Sequence, residues 1–308
     1  TKGKKCLVFT NSREECEMVT STLRHYCEVQ HEPDRFLIHH GNLSASYRET
    51  AEEIMKDETQ FQTTVTTATL ELGIDIGRLQ RAFQIDAPAM VSSFLQRMGR
   101  TGRRNLPPEM WFVIREELPT TRERLPATIP WKLIQAIALI QLYIEEKWIE
   151  PLLTPRLPYP LLYHQTMCYL TSVGSASPSS LAEYMLTLSP FRQISQEDYR
   201  DLLHYLLEID QLEMDEEGNL LIGEKGSQTI SKYQFLTVFE NEIEYSVREE
   251  SREIGTINTL VPVGETLILA GNSWRVLEIN AEKRQIFVKK IKGISKSYWE
   301  GPDEIIIA

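Results

Sequence analysis

Cysteine is scarce in this 308-residue chain: it has four, and no two stand in a C-x-x-C pair. That scarcity excludes a disulfide-rich secreted scaffold and is typical of a reducing compartment. The first residues, Thr-Lys-Gly-Lys-Lys, do not have the long apolar core that is typical of a signal peptide. We therefore expect a cytoplasmic protein.

No apolar run is long enough to cross a bilayer. The most apolar stretch, Trp131 to Ile144, contains Lys132, Gln135 and Gln141, whereas a spanning helix needs about 20 apolar residues. We expect no membrane partner, and we interpret the stretch as part of a helix, Trp131–Trp148, buried between domains. A helix that binds a partner protein is the alternative.

An excess of positive charge is also lacking. The formal net charge is −11, which argues against nucleic-acid binding through the charge of the whole molecule. Basic residues nevertheless cluster near the end among few acids, which leaves room for a local basic track. They are Lys283, Arg284, Lys289, Lys290, Lys292 and Lys296.

Residues 1–118 contain a regular alternation of β-branched runs and amphipathic stretches, which is typical of an α/β domain with a parallel sheet. The predicted strands are Lys5–Thr10, Arg35–His39, Gln62–Thr67, Arg81–Ile85 and Met110–Ile114. The predicted helices are Arg13–Cys27, Ser44–Asp57 and Val91–Met98.

Beyond residue 118 the pattern changes. Residues 119–159 are predicted to be a linker with the long helix. Residues 160–232 predict three helices, over 161–173, 179–187 and 195–209, and then a hairpin of 212–214 with 219–222, which is typical of a winged-helix domain. A spacer domain is the alternative, because acids dominate the third helix. Residues 233–308 predict a small β-barrel-like domain with strands over 235–240, 267–269, 274–279 and 285–290. We assign Trp274 and Trp148 to cores.

The densest functional signal is Gln-Arg-Met-Gly-Arg-Thr-Gly-Arg at residues 96–103. The arginines recur every three residues, so Arg100 and Arg103 share one face of a helical turn, and the glycines admit a large anion. Guanidiniums stay charged and match planar oxyanions. The pattern favours a phosphate chain, with the arginines neutralising charge during phosphoryl transfer. An exposed basic turn is the alternative.

Three more segments follow predicted strands, at the edge where parallel α/β sheets bind ligands. They are Val8–Arg13, His39–Gly41 with Arg48 beyond it, and Thr66–Gly77, which includes Asp75. Taken singly, histidines that only pack and an aspartate that only caps a helix are the alternatives. In this order on one edge, the four segments together are specific.

These segments resemble the second RecA-like domain of superfamily 2 helicases, and Leu70–Gly77 resembles the large helicase-related (Lhr) family in particular. The resemblance extends to Pro190–Tyr199 and Gly271–Val276. It implies a RecA-like domain followed by winged-helix and β-domains, in an ATP-driven DNA translocase of 3′–5′ polarity. Ala68 and Gln96 depart from the DEAD-box pattern, which argues against an RNA-type DEAD-box enzyme.

The resemblance also implies roles for individual residues. Arg100 and Arg103 would be the catalytic arginine fingers on the ATP γ-phosphate. The implied ATP-binding residues are Gly73, Asp75, Gln96, Arg97, Arg100 and Arg103. The implied nucleic-acid-binding residues are Thr10, Asn11, Arg13, His40, Gly41, Arg48 and Thr67.

Basic and aromatic residues interleave near the end of the chain, independently of the resemblance. Lys289, Lys290 and Lys292 lie close to Phe287, so a nucleic-acid strand could contact them by phosphate neutralisation and base stacking. A lysine-edged outer strand that resists edge pairing is the alternative.

Two parts of an ATP site are lacking. No G-x-x-x-x-G-K-[ST] loop and no acidic Mg²⁺ motif at a strand end occurs in the chain. We therefore expect a separate first RecA-like domain to hold ATP and Mg²⁺, no metal ligands in this chain, and negligible ATPase activity from these 308 residues alone. The expected function is the C-terminal portion of an ATP-dependent DNA helicase. A remodelling translocase that does not unwind and a non-catalytic nucleic-acid-binding adaptor are the alternatives.

Overall fold

The computed structural model describes residues 3–71, 79–102, 107–116, 125–151, 157–232, 235 and 243–293. The chain forms two compact units, one of residues 1–150 with 242–308 and one of residues 151–241. These units differ from the predicted boundaries, because the C-terminal strands belong with the N-terminal sheet.

The first unit opens with a five-stranded parallel sheet of order β2-β3-β1-β4-β5. Its strands are β1 Cys6–Phe9, β2 Phe36–His39, β3 Thr63–Thr66, β4 Arg81–Ile85 and β5 Met110–Val113. Its helices are α1 Arg13–Val29, α2 Ala45–Lys56 and α3 Val91–Met98. The predicted α/β fold with a parallel sheet is confirmed, and the Ser12 side chain caps α1 by accepting the Glu15 N–H.

A second five-stranded sheet, of order β10-β9-β13-β12-β11, belongs to the same unit. Its strands are β9 Tyr245–Glu249, β10 Arg252–Ile257, β11 Thr266–Leu269, β12 Asn272–Asn280 and β13 Gln285–Ile291. Sequence patterning found the last three strands and missed β9 and β10, whose charged residues obscure the alternation. The predicted strand over 235–240 lies outside the described residues except for Phe235. A closed barrel stays a prediction, since β10 and β11 are the ends of the order.

One apolar core joins the two sheets. Val8 and Val65 of the parallel sheet are buried in the same cluster as Val247 and Ile254 of the second sheet. Trp274 is also in this cluster, at 2% exposure, and its indole N–H donates to the Leu269 carbonyl at 2.7 Å. The predicted core position of Trp274 is confirmed.

A buried carboxylate on α1 anchors the second sheet. Glu17 is fully buried and accepts the backbone N–H groups of Ala270 at 2.7 Å and Gly271 at 2.6 Å. Gly271 has a φ of +67°, and a Cβ there would lie 2.6 Å from side-chain atoms of Arg24 and Thr20. The turn between β11 and β12 therefore requires glycine where it meets α1.

The outer edge of β10 is covered by residues 42–44. The Thr256 N–H donates to the Asn42 carbonyl at 2.8 Å, and the Ser44 N–H donates to the Ile254 carbonyl at 3.0 Å. A Cβ at Gly255 would lie 2.3 Å from the Asn42 carbonyl oxygen. The loop after β2 thus protects an edge that would otherwise offer unpaired backbone groups.

The long helix is shorter and far more exposed than predicted. It forms α4, Trp131–Ile144, and Ile137 in its middle is 48% exposed. Only Ala136 and Leu139 of α4 are buried within the described part of the chain. The predictions of a buried helix and of a core position for Trp148, which is 42% exposed, are wrong. Leu139 packs against the eight-residue α3, which is too short to cover more than one side of α4.

The second unit has three helices followed by a hairpin, as the pattern predicted. Its elements are α5 Tyr159–Val173, β6 Ser175–Ala176, α6 Pro178–Thr187, α7 Gln196–Glu208, β7 Leu212–Met214, β8 Leu220–Ile222 and α8 Glu224–Ile230. The strands form an antiparallel sheet of order β6-β8-β7. Ser195 and Asp198 form a capping box that starts α7.

None of the helices described has both the length and the apolar content needed to cross a bilayer. The described residues also contain no group of three or more His, Cys, Asp or Glu side chains placed to hold a metal ion.

Candidate nucleotide and nucleic-acid site

Three of the predicted segments leave the same edge of the parallel sheet. Because β1, β2 and β3 run parallel, their carboxyl ends lie side by side. Thr10, His40 and Thr67 are the residues that directly follow these strands. The structure thus brings these three segments together at the edge where such sheets bind ligands.

The fourth segment reaches this edge through α3. The carboxylate of Glu150 caps the start of α3, accepting the Val91 N–H at 2.5 Å and the Ser92 N–H at 3.0 Å. Burial raises the pKa of Glu150, but these amide hydrogen bonds outweigh it and leave the pKa below its usual value. The cap is 59 residues from Val91 along the chain, which is why helix-start patterns did not reveal it.

Arg97 lies inside the protein rather than at its surface. It is 5% exposed, and its Nε donates to Glu71 Oε1 at 2.6 Å. Its Nη1 donates to Asn11 Oδ1 at 3.0 Å and to Gln84 Oε1 at 2.7 Å. The guanidinium also lies over the Phe9 ring, 5.4 Å from its centroid. These contacts tie α3 to three strand ends at once.

Arg100 follows α3 and is 9% exposed. Its Nε donates to the backbone carbonyl of Glu71 at 2.7 Å, and its Nη2 donates to the same oxygen. The two contacts fix the plane of the guanidinium. Gln96, on α3, is half-buried. Arg103 lies outside the described residues, as do Gly73 and Asp75.

The residues predicted to contact nucleic acid after β1 differ in exposure. Thr10 is buried, and its hydroxyl donates to the Thr66 carbonyl at 3.2 Å. Asn11 is exposed, and its Nδ2 donates to the Ala87 carbonyl at 2.8 Å. Arg13 is exposed in the first turn of α1. Thr67, after β3, is half-buried.

The segment after β2 presents a similar mixture. His40 is fully buried, with its Nε2 2.8 Å from Glu17 Oε1, whereas Gly41 is exposed. Arg48 is half-buried, and its buried Nε has no hydrogen-bond partner in the part of the chain that the structure describes. A buried donor without a partner is uncommon in folded proteins.

His39, the last residue of β2, is 2% exposed. Its Nε2 lies 3.0 Å from Glu52 Oε1 and its Nδ1 lies 2.9 Å from Thr69 Oγ1. Burial lowers the pKa of His39, and Glu52 offsets only part of that effect. The imidazole is therefore held in its neutral form near neutral pH.

The C-terminal lysines lie on a surface of mixed charge. Lys289, Lys290 and Lys292 are all exposed. Lys289 stands opposite Arg275 in the β12–β13 pairing, and like charges in that position destabilise a sheet unless an anion joins them. Lys290 and Lys292 line a cleft of about 570 Å³ whose wall includes acids of α1 and the loop after it. Those acids are Glu28, Glu32 and Asp34.

Sequence reasoning gave no role to two residues that organise the site, Glu71 and Gln84. Gln84 is fully buried in β4 and Glu71 is 6% exposed. A glutamine between the apolar residues Phe83 and Ile85 of a predicted strand is a detectable signal, because a buried amide needs hydrogen-bond partners. Glu71 was not singled out because it lies within Thr66–Gly77, a segment that was interpreted as one motif.

Comparisons with known proteins show what this chain is similar to. Residues 1–105 match the family described as the helicase conserved C-terminal domain. The ATP-dependent helicase Lhr-Core of Sulfolobus acidocaldarius is 26% identical over 305 residues, which cover 95% of this chain and 33% of that protein. This chain therefore spans about a third of the length of that relative.

Two solved structures share the fold. One, of the DUF1998 helicase MrfA bound to DNA, has a TM-score of 0.65 at 16% identity and covers 94% of this chain and 38% of its own. The other, of the Mycobacterium smegmatis helicase Lhr bound to ssDNA and AMP-PNP, has a TM-score of 0.59 at 24% identity and covers 74% and 28%. Residues 1–105 are thus similar to the C-terminal domain of helicases. The chain as a whole is similar to Lhr-type helicases of superfamily 2, and the predicted resemblance is confirmed.

Proposed function

We propose that this chain is the C-terminal portion of an ATP-dependent DNA helicase or translocase. The observation that carries the proposal is the position of Arg100, which is held by the carbonyl of Glu71 beside the sheet edge where the segments after β1, β2 and β3 meet. A site of this kind presents guanidinium groups to a nucleotide and the loops after the strands to a nucleic acid.

In this proposal, a first RecA-like domain holds ATP and Mg²⁺, and this chain supplies the arginine side of the site. Arg100 and Arg103 neutralise charge on the γ-phosphate as it is transferred, with Gly73, Asp75 and Gln96 facing the nucleotide. Glu71 orients Arg100 before ATP arrives, so little reorganisation is needed when the two domains close.

The same sheet edge grips DNA in the proposal. Arg13 and Arg48 supply the charge, and Gly41 lets the backbone approach a phosphate closely. DNA is favoured over RNA because the two similar solved structures are described as bound to DNA and ssDNA. Thr10 and His40 are buried and shape the loops rather than touch a strand.

We interpret the second unit as a winged-helix domain that guides the DNA strand through a surface other than its third helix. Its third helix, α7, exposes Glu197, Asp201 and Glu208 beside Arg200, and such a face repels phosphates. Lys289, Lys290 and Lys292 form a basic track on the second sheet. The track attracts DNA phosphates electrostatically.

ATP turnover tests the proposal. The 308-residue chain alone should hydrolyse ATP negligibly, because it has no phosphate loop. A longer protein that adds a phosphate-loop domain should hydrolyse ATP, and Arg100→Lys should lower kcat by about 10³-fold or more, as the loss of an arginine finger does. ATP turnover by the chain alone that is lost in Arg100→Lys would contradict the proposal.

A translocase that does not separate strands would use the same site. Unwinding of a tailed duplex by the longer protein distinguishes it from a helicase, since both hydrolyse ATP on single-stranded DNA.

A further inference from the structure

We infer that Arg97 and Glu71 are positioning residues that link the nucleic-acid side of the site, at Asn11, to the arginine finger Arg100. The inference rests on the proposed function and assigns Arg97 a role other than direct ATP binding. Its evidence is a continuous path of hydrogen bonds from Asn11, which the proposed function places beside nucleic acid, to Arg100, which it places on ATP.

The path has three steps. Asn11 Oδ1 accepts from Arg97 Nη1 at 3.0 Å. Arg97 Nε donates to the carboxylate of Glu71 at 2.6 Å. The backbone carbonyl of that same glutamate accepts from Arg100 Nε at 2.7 Å. A shift of Asn11 therefore reaches Arg100 through only two intervening residues.

The amide of Asn11 has one orientation that satisfies all its contacts. Its Nδ2 donates to the Ala87 carbonyl at 2.8 Å, and its Oδ1 accepts from Arg97 and, at 3.3 Å, from Gln84 Nε2. Asn11 is itself exposed. A phosphate that draws the Asn11 amide outward must consequently loosen its contact with Arg97.

The middle of the path is buried. Arg97 is 5% and Glu71 6% exposed, and Gln84, which accepts from Arg97 Nη1 at 2.7 Å, is fully buried. In a low-dielectric interior, hydrogen bonds between charged groups are strong and an unpaired member is costly. When Arg97 loses one acceptor, the ion pair with Glu71 must adjust, and the Glu71 carbonyl carries that adjustment to Arg100.

Spatial continuity alone does not demonstrate coupling, so the test measures the response of Arg100 directly. The arginine Nε–Hε resonances of the 308-residue chain are recorded by NMR with and without a saturating oligothymidylate, and are assigned through single Arg→Lys variants. Binding should shift the Arg13 and Arg48 resonances by direct contact. It should also shift those of Arg97 and Arg100.

Asn11→Ala cuts the path at its exposed end. In that variant, a saturating oligonucleotide should still shift Arg13 and Arg48, whereas the shift of Arg100 should be lost. Glu71→Gln keeps the shape of the path but removes its charge, and it should reduce the Arg100 response as well. Glu14→Gln, at an exposed position of α1, is the matched control and should leave all four responses unchanged. Unchanged resonances of core residues verify folding in each variant.

The outcomes separate the inference from the proposed function. Responses of Arg13 and Arg48 with no response of Arg100, or with an equal Arg100 response in Asn11→Ala, would overturn the path while leaving DNA binding intact. No response of any arginine would overturn the proposed function and this inference with it.

Discussion

The buried arginines at the end of α3 and the exposed lysines of β13 carry the same formal charge but differ in what that charge does. Arg97 and Arg100 are nearly inaccessible, and protein oxygens fix both guanidiniums. Lys289 and Lys290 are exposed on the second sheet. A buried guanidinium defines geometry through its planar fork, whereas an exposed ammonium contributes a field that salt screens. Burial therefore decides which charges hold the site and which attract its ligand.

The largest expected effect comes from Arg97→Ala. An alanine leaves the buried carboxylate of Glu71 without its partner charge, and it leaves Asn11 and Gln84 without a donor. Loss of such a pair costs about 3 to 5 kcal/mol of unfolding free energy, which urea denaturation measures. Arg13→Ala, at an exposed site, is the control and should cost less than about 0.5 kcal/mol. Similar losses in both variants would contradict the distinction between the two kinds of charge.

A second buried charge gives the next largest effect. Glu17→Ala would leave the N–H groups of Ala270 and Gly271 without their acceptor, and each orphaned donor costs about 1 to 3 kcal/mol. Urea denaturation should show a loss of at least about 2 kcal/mol, and hydrogen exchange should show faster opening of the turn between β11 and β12. Glu14→Ala is the matched exposed control. Unaltered exchange at this turn would mean that Glu17 does not anchor the second sheet.

His39 sharpens the comparison through pH. Burial holds its folded-state pKa below the unfolded value of about 6.5. The unfolded state therefore binds the proton more readily, so stability is full above that value and is lost as pH falls through it toward the folded pKa. Each unit of separation between the two pKa values contributes about 1.4 kcal/mol. Denaturation at pH 7.5 and 5.5 measures the loss, which His39→Gln should reduce. An unchanged pH dependence in His39→Gln would contradict this assignment.

The smallest effect on stability is expected at the exposed lysines. Lys289→Gln together with Lys290→Gln should change the unfolding free energy by less than about 0.5 kcal/mol. The pair should still lower the slope of log affinity for single-stranded DNA against log salt by about 1 to 2. Lys56→Gln, an exposed lysine at the end of α2, is the control and should not alter the slope. Equal slopes in the wild-type protein and both variants would show that the lysines of β13 do not contribute to DNA binding.

The parallel sheet could be predicted because its strands and helices are local patterns, and the motif order placed them on one edge. The joining of the two sheets could not, because Glu17 and Ala270 are 253 residues apart and no local pattern links them. The spacing of residues 96–103 identified the arginines but did not show that Arg97 and Arg100 are buried and held by protein oxygens. The burial of α4 was predicted wrongly because apolar composition does not show how much protein is available to cover it.

Binding of single-stranded DNA by the 308-residue chain tests the central claim most directly. The account predicts binding at about 50 mM salt that weakens steeply by about 200 mM. It also predicts a shallower slope when Arg13 and Arg48 are both replaced by Gln, with the fold retained. Absence of binding at low salt, or a slope unchanged by those two substitutions, would contradict the account.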